Sequence, residues 1–220
     1  MNCENKKTVR RIVLLVRHGD SRQDHLKRYV GHTDNPLNER GIAQAEALHR
    51  ELAAIPFSRF YCSDLQRSVE TARFIAGDRS CDVVPVAALR EIFMGSWDGR
   101  SMDEVRTAFP DEYRRRGEDP AHHTAPGGES FADLGKRVIP AFEEIVRNDR
   151  GPLLIIGHAG VNRVILSQLL GMPLENLFRL GQDYGCANII VEEKGVFKVQ
   201  ALNLGADAGI GSILNALLKP

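Results

Sequence analysis

The stretch Arg11-Ile12-Val13-Leu14-Leu15-Val16-Arg17-His18-Gly19 decides the fold, because a short apolar run passes directly into an arginine, a histidine and a glycine. An apolar run of this length, bounded by charge and glycine, is typical of a buried strand in a parallel sheet. Ligands of such sheets bind beyond the carboxyl ends of the strands. The stretch therefore predicts an α/β fold in which Arg17 and His18 lie at a binding edge.

Two further segments repeat this design of a strand followed by a polar turn. Residues 57–62 form a second short apolar run, and residues 63–67 follow it with Ser63 or Asp64 placed to cap a helix. Residues 152–157 form a third run, which a helical pattern follows. If the three strands are neighbours, one edge of the sheet collects Arg17, His18, Arg67 and His158, beside helix amino termini that favour anions.

These residue types together indicate a phosphate site. Arginine binds phosphoryl oxygens through a planar fork of donors and stays charged at physiological pH. Neighbouring cations disfavour a second positive charge on His18, so its imidazole stays neutral and can act as a nucleophile. Displacing an alkoxide also requires a proton donor, and the charge of bound phosphate favours the protonated form of a nearby carboxyl group. The chemistry predicts one Asp or Glu close to the four residues.

The alternation of strand-like and helix-like segments predicts a three-layer α/β sandwich, with helices on both faces of a mostly parallel sheet. We interpret residues 1–220 as a single domain with amphipathic helices over 38–54 and 131–146. Residues 97–129 are polar, rich in Gly, Pro and His, and contain only a short helical pattern. They are interpreted as a cap over the pocket, with a solvated loop as the alternative. Residues 205–220 are interpreted as a flexible link and a terminal helix that docks on the domain or on a partner subunit.

Composition favours an ordinary soluble enzyme. The chain has 29 basic and 29 acidic residues, so its formal net charge of zero does not favour nucleic acid or an anionic membrane as a partner. No apolar stretch approaches the length of a membrane span, and the cysteines at positions 3, 62, 81 and 186 show no paired spacing. We expect reduced thiols, a cytoplasmic location and a small-molecule phosphate monoester as the partner. The sequence leaves a monomer and a homodimer both open.

The ordered motifs resemble the histidine phosphatase superfamily, in its phosphoglycerate mutase-like branch. Arg17-His18-Gly19 is similar to the family signature, and residues 31–41 are similar to the segment that leads into its first helix. Residues 63–72 are similar to the segment of the second arginine, and residues 157–161 to that of the second histidine. Residues 89–99 resemble the segment that supplies the acid. Ordered agreement of five motifs is far more specific than any one of them.

The resemblance implies roles for particular residues. His18 would become phosphorylated and then be hydrolysed, and Glu91 would act as the acid. Arg17, Arg67 and His158 would bind and stabilise the phosphoryl oxygens. Ala159, through its backbone, is a further candidate for substrate contact. So is His32, which would face the pocket entrance, with a simple turn residue as the alternative. No cofactor or metal is implied, and the pair His122-His123 lacks further ligands at suitable spacing.

Within the superfamily, the last third of the chain resembles the α-ribazole phosphatases, which remove a 5′-phosphate in the synthesis of the cobalamin lower ligand. The resemblance lies in residues 171–178, 183–186 and 202–203. A phosphatase of broad or different specificity stays open, because the catalytic residues define the reaction and leave the substrate to the cap. A catalytically weak module that binds phosphorylated ligands is the alternative from another class.

One departure from the family pattern concerns phosphate binding. Many relatives carry asparagine five residues beyond the signature glycine, where this chain has Asp24. A carboxylate there would repel phosphate unless it is protonated, turned away, or paired with Arg22, Lys27 or Arg28. Asp24 is therefore not assigned to phosphate binding.

Overall fold

The computed structural model describes residues 10–219, so Cys3 lies outside the described residues. A six-stranded sheet forms the centre of the fold. Its strands are β1 Arg10–Arg17, β2 Arg59–Cys62, β3 Val83–Pro85, β4 Leu153–Gly157, β5 Ala187–Glu193 and β6 Val196–Leu204. Their order in the sheet is β3-β2-β4-β1-β5-β6. All strands except β5 run in the same direction, since β5 pairs antiparallel with both β1 and β6.

Helices cover both faces of the sheet, which confirms the predicted three-layer α/β architecture. They are α1 Glu39–Glu51, α2 Gln66–Ala76, α3 Met102–Ala108, α4 Pro110–Glu118, α5 Phe131–Asn148, α6 Ala159–Leu170 and α7 Ile210–Leu218. The predicted helices over 38–54 and 131–146 correspond to α1 and α5 with shifted ends. Asn38 caps α1 by accepting a hydrogen bond from the Gly41 N–H at 2.9 Å.

Strand β1 is apolar without alternation because helices bury both of its faces. Val13 and Leu15 pack in a core with residues of α5 and α6. Ile12, Leu14 and Val16 pack in a second core with residues of α1, α2 and α7. The two cores therefore hold β1 in place from both faces of the sheet. They fix the end of the strand, where Arg17 and His18 lie.

The cap segment is more helical than its polar composition predicts. It contains α3 and α4, where the sequence indicated only one short helix. Ser101 and Glu104 form a capping box at the start of α3, and Pro110 occupies the first position of α4, where its missing N–H costs nothing. The interpretation of residues 1–220 as one domain with a cap stays a prediction.

The terminal helix of the chain packs against the sheet, whereas the flexibility of the link before it stays a prediction. Residues Ala206–Ala208 form a turn of 3₁₀ helix, and Gly209 adopts φ +68° to direct the chain into α7. Ile210 and Leu214 of α7 are fully buried in the core on the α1 side of the sheet.

None of the helices within residues 10–219 combines the length and the apolar character that crossing a bilayer requires.

Candidate active site

The three strands that carry the predicted site residues are neighbours, in the order β2-β4-β1. Parallel pairing aligns Arg17 with Gly157 and Cys62 with Ile156, so the three carboxyl ends meet at one edge of the sheet. The ring centroids of His18 and His158 lie 5.0 Å apart, nearly edge to face. The structure thus brings together the residues that the sequence placed at this edge.

The side chain of His18 has a fixed tautomer. Its Nδ1 lies 2.7 Å from the carbonyl oxygen of Gly19, and a carbonyl only accepts, so Nδ1 carries the proton. The lone pair is therefore on Nε2. The main chain of Gly19 is held in turn by the hydroxyl of Thr71, which accepts from the Gly19 N–H at 3.0 Å. These contacts orient the imidazole and leave Nε2 unprotonated, which is the form that a nucleophilic histidine requires.

Burial and two cations keep His18 neutral. The residue is only 4% exposed, and desolvation lowers its pKa well below 6.5, with Arg67 and then Arg17 as further causes. The sequence predicted that the arginines lower the pKa of His18. It did not predict the burial of the side chain, which lowers that pKa more. A neutral imidazole is available throughout the physiological pH range.

The two arginines are held by carbonyl groups. Arg67 is fully buried at the start of α2, and it donates to the carbonyls of Gly31 at 2.7 Å and Thr33 at 2.9 Å. Arg17 donates to the carbonyl of Gln182 at 2.6 Å. Neither has a carboxylate within ion-pair distance among residues 10–219, and the Nε of each has no partner there. Both keep charge and donors for an oxyanion.

His158 is completely buried, and neither of its ring nitrogens has a hydrogen-bond partner among residues 10–219. Desolvation lowers its pKa well below 6.5, and Arg67 contributes further. Its backbone forms the N-cap of α6, so the side chain lies at the positive end of that helix. The neutral ring has one N–H with which it can donate to a phosphoryl oxygen.

The carboxylate of Glu91 is oriented by two main-chain donors. Its Oε1 accepts from the Ile92 N–H at 2.9 Å, and its Oε2 accepts from the Gly160 N–H in the first turn of α6 at 3.0 Å. Arg137 of α5 donates at 2.9 Å to the carbonyl of Glu91 and so holds the loop that carries it. The predicted acid is thereby aimed at the same edge as the histidines.

His32 and Ala159 lie beside the four central residues in different ways. His32 donates from Nε2 to the carbonyl of Glu91 at 3.0 Å, so its ring supports the acid's main chain. Ala159 is the first residue of α6, and it lines the cavity described below. Contact of either residue with substrate stays a prediction.

The start of α2 is capped from a distance, which corrects the prediction that Ser63 or Asp64 caps it. The N-cap residue is Leu65, and the N–H of Gln66 donates at 2.7 Å to the carboxylate of Asp34. Asp64 instead pairs with Arg90 at 2.6 Å. Because Asp34 lies 32 positions before Gln66, no local sequence pattern marks it as the cap of α2.

Asp24 is removed from the phosphate site by an ion pair. Its carboxylate lies 2.6 Å from the guanidinium of Arg28, one of the three partners that the sequence offered. The hydrogen bond from Arg28 also lowers the pKa of Asp24, so the group stays charged and paired. The departure at this position therefore adds no unpaired negative charge to the site.

A cavity of about 490 Å³ opens beside the catalytic edge and under the cap. Arg17, Glu91, Ala159 and Gly160 line its inner wall. The outer wall consists of cap, loop and helix residues, which are largely aromatic or basic: Arg28, Tyr29, Val30, Met102, Tyr113, Arg116, Gly117, Phe131, Arg163 and Phe178. Because Glu91 faces this space, the cavity is where the leaving group of a phosphate ester would lie. It also supports the interpretation of residues 97–129 as a cap.

Some residues of the site escaped the sequence reasoning. Gly160 supplies an N–H to Glu91, and a Cβ at this position would overlap the Oε1 of that residue. Tyr184 lies with its ring 5.6 Å from the ring of His18. The family motif that includes Gly160 could have indicated it. Tyr184 lies in the segment 183–186 that resembles the α-ribazole phosphatases, but only the fold shows that its ring reaches His18. Exposed His122 bonds to Asp119 at 3.1 Å, and residues 10–219 contain no metal-holding group of three or more His, Cys, Asp or Glu side chains.

Comparison with known proteins agrees with this site. The family model of the histidine phosphatase superfamily (branch 1) matches residues 13–205. The adenosylcobalamin/α-ribazole phosphatase of Escherichia coli is 31% identical over 86% of this chain and 94% of its own length. Phosphoserine phosphatase 1 of Hydrogenobacter thermophilus is 31% identical over 90% and 94%. The crystal structure of the α-ribazole phosphatase from Shigella flexneri superposes with a TM-score of 0.82 and 30% identity, covering 88% of this chain and 96% of that one.

The fold and the site together define a phosphatase of the α/β class. The chain belongs to the histidine phosphatase superfamily.

Proposed function

We propose that the protein hydrolyses phosphate monoesters through a phosphohistidine at His18. The observation that carries the proposal is the state of that side chain: buried and neutral, with Nδ1–H donating to Gly19 and Nε2 left as the nucleophile. Arg17 and Arg67 flank it without carboxylate partners among residues 10–219. Their charge offsets that of a phosphate dianion and its transition state.

In the first step, Nε2 of His18 attacks phosphorus, and the bond from phosphorus to the ester oxygen breaks. Glu91 donates a proton to the departing alkoxide, which leaves as the alcohol. Arg17, Arg67 and His158 hold the three phosphoryl oxygens as charge redistributes among them. The products of this step are the alcohol, phosphohistidine and the carboxylate of Glu91.

In the second step, water attacks the phosphohistidine, and Glu91 takes up a proton from the water. The bond from phosphorus to nitrogen breaks, which returns neutral His18 and releases phosphate. Glu91 thus ends the cycle protonated, as it began it. One carboxyl group serves both steps because the two attacks are the reverse of each other in proton transfer.

We propose α-ribazole 5′-phosphate as the substrate. Two of the similar proteins reported above carry this activity in their names, each at about 30% identity and with more than nine-tenths of its length covered. The cavity supports a flat aromatic leaving group, because the rings of Tyr29, Tyr113, Phe131 and Phe178 line it. Its volume of about 490 Å³ lies in the range of small-molecule sites.

A second candidate substrate class is phosphorylated acids, and two arginines favour it. Arg116 and Arg163 line the cavity, and neither forms an ion pair within residues 10–219. Arg116 lies 5.3 Å from the ring centroid of Phe131, and Arg163 lies 5.5 Å from that of Phe178. Burial lowers the pKa of both guanidinium groups, and neither has a carboxylate within ion-pair distance among residues 10–219. A leaving group with a carboxylate would supply the missing ion-pair partner.

Steady-state hydrolysis of a substrate panel, with EDTA present, tests these proposals. The panel contains α-ribazole 5′-phosphate, phosphoserine, 3-phosphoglycerate and p-nitrophenyl phosphate, assayed with the wild type, His18→Ala and the surface control His25→Ala. We expect His18→Ala to lose several orders of magnitude in kcat on every substrate, and the control to retain wild-type rates. Near-normal activity of His18→Ala would contradict the mechanism, and no wild-type activity would indicate the binding module.

The same panel separates the two substrate classes. A large preference in kcat/KM for α-ribazole 5′-phosphate supports the first candidate. Preference for the phosphorylated acids supports the second, in which case Arg116→Met should lower kcat/KM for them by about tenfold or more while sparing p-nitrophenyl phosphate. Arg114→Met, on the same helix but exposed and paired with Glu118, is the matched control.

A further inference from the structure

The guanidinium of Arg17 stacks on an aromatic ring. Its central carbon lies 3.6 Å from the ring centroid of Tyr184, the shortest cation-to-ring distance within residues 10–219. The same ring lies 5.6 Å from the ring of His18, tilted by 58°. Tyr184 therefore lies against two of the three signature residues, Arg17 and His18, although it follows them by more than 160 positions in the sequence.

Three hydrogen bonds tie the loop that carries Tyr184 to the signature, one from the side chain of Arg17 and two between main chains. The carbonyl of Gln182 accepts from Nη1 of Arg17 at 2.6 Å. The N–H of Arg17 donates to the carbonyl of Cys186 at 3.0 Å, and the N–H of Gly185 donates to the carbonyl of His18 at 3.0 Å. These bonds fix the main chain on both sides of Tyr184 beside the signature, so the fold places the ring next to the guanidinium of Arg17.

Buried amide side chains hold this loop on the sheet. Gln182 donates to Asn188 of β5 at 2.8 Å, and Asn188 donates to the carbonyl of Leu15 in β1 at 2.9 Å. Gln44 of α1 donates to the carbonyl of Tyr184 at 2.9 Å from the other side. Buried polar side chains with satisfied hydrogen bonds favour a single arrangement of the loop.

An aromatic ring orients a guanidinium differently from a carboxylate. A carboxylate would fix Arg17 but would also offset the charge that phosphate binding requires. The face of a ring attracts the cation through its quadrupole and carries no net charge. Arg22 also lies near this ring, with its central carbon 5.5 Å from the centroid, but it differs from Arg17 because it pairs with the carboxylate of Asp20. Arg17 has no such partner in the described part of the chain.

We propose that Tyr184 is a positioning residue, which holds Arg17 in the phosphate-binding orientation through its ring face and preserves the full charge of the guanidinium. The inference rests on the proposed phosphatase function, because Arg17 is assigned there to the phosphoryl oxygens. The hydroxyl group of Tyr184 has no part in it. The ring acts on the substrate only through Arg17.

Competitive inhibition by inorganic phosphate, with p-nitrophenyl phosphate as substrate, measures this effect. The proteins compared are the wild type, Tyr184→Phe, Tyr184→Leu and a protein with 3,4,5-trifluorophenylalanine at position 184. Fluorine withdraws electron density from the ring face and keeps the ring's shape nearly unchanged. Tyr184→Phe and its trifluorinated counterpart thus form a matched pair that differs mainly in the attraction for a cation. Thermal unfolding of each protein reports separately on stability.

We expect Tyr184→Phe to bind phosphate within about twofold of the wild type, and the trifluorinated protein and Tyr184→Leu to bind about threefold to thirtyfold more weakly. Equal inhibition constants for the phenylalanine and trifluorophenylalanine proteins would overturn the inference, even if Tyr184→Leu failed to fold. So would a Tyr184→Phe protein as weak as Tyr184→Leu, since the hydroxyl would then matter. A wild type that neither hydrolyses the ester nor binds phosphate would overturn the proposed function together with the inference.

Discussion

The imidazole of His18 combines three properties that rarely occur together: it is buried, it is neutral, and it lies among cations. Burial alone would favour the neutral form, and the two arginines reinforce it. In the proposed function, the same arginines attract the phosphate that the imidazole attacks. Substrate binding and nucleophile activation would then have one electrostatic origin.

The buried histidines make stability depend on pH. The pKa values of His18 and His158 are lowered well below 6.5 in the folded protein, whereas in the unfolded chain both would titrate near 6.5. Below about pH 6.5 unfolding therefore takes up protons, and the free energy of unfolding falls as the pH drops. Each histidine contributes a slope of about 1.4 kcal/mol per pH unit.

Urea unfolding between pH 7 and pH 5 measures this slope. We expect His158→Asn to have a slope smaller by about 1.4 kcal/mol per pH unit below pH 6.5 than that of the wild type. His25→Asn, at an exposed position, is the control. Equal slopes for His158→Asn and the wild type would show that His158 is not held neutral in the fold.

At the scale of elements, helix α6 organises the site through its first turn. His158 caps the helix, Ala159 begins it, and the N–H of Gly160 holds the carboxylate of Glu91. The side of Gly160 is occupied by Glu91 and by the ring of Phe131, so this position has no room for a Cβ atom. The first turn of α6 thus positions both His158 and the proposed acid, Glu91.

Gly160→Ala should displace the acid without unfolding the protein. The added methyl would push the carboxylate of Glu91 from its place, and we expect a loss in kcat of about 10²- to 10⁴-fold on esters with poor leaving groups. The loss on p-nitrophenyl phosphate should be much smaller, because that leaving group needs no proton. Glu91→Gln should show the same dependence on the leaving group.

Gly135→Ala on α5 is the matched control for this substitution, since a Cβ there meets only the Cγ1 of Val164 at an ordinary 3.5 Å. It should retain wild-type activity on both kinds of ester. If Gly160→Ala lost activity equally on good and poor leaving groups, the first turn of α6 would have a role other than positioning the acid.

The elements also show what the sequence could and could not predict. The strands around Arg17, Arg67 and His158 were predictable because each ends an apolar run at a polar turn. Asp34 capping α2 and Tyr184 stacking on Arg17 were not, because such contacts join residues far apart in the chain. The helix α4 was missed although Pro110 marks its start, since its polar surface gives no apolar stripe.

At the scale of the whole molecule, the sheet edge that carries Arg17 and His18 faces a cavity beside α3 and α4, the helices of the segment that we interpret as a cap. In the proposed function, the sheet edge would bind the phosphoryl group. The cavity would then receive the leaving group. This division explains why similar proteins in one superfamily have names with different substrates, and why the substrate of this chain has to be measured.

Trapping of the phosphorylated enzyme tests the central claim most directly. The wild type is mixed with ³²P-labelled substrate, quenched with alkali within one turnover, digested and analysed by mass spectrometry. We predict label on the peptide containing His18, stable to alkali and released by acid, and no label on His18→Ala. Full turnover with no labelled enzyme at any quench time, or label on another residue, would contradict the account.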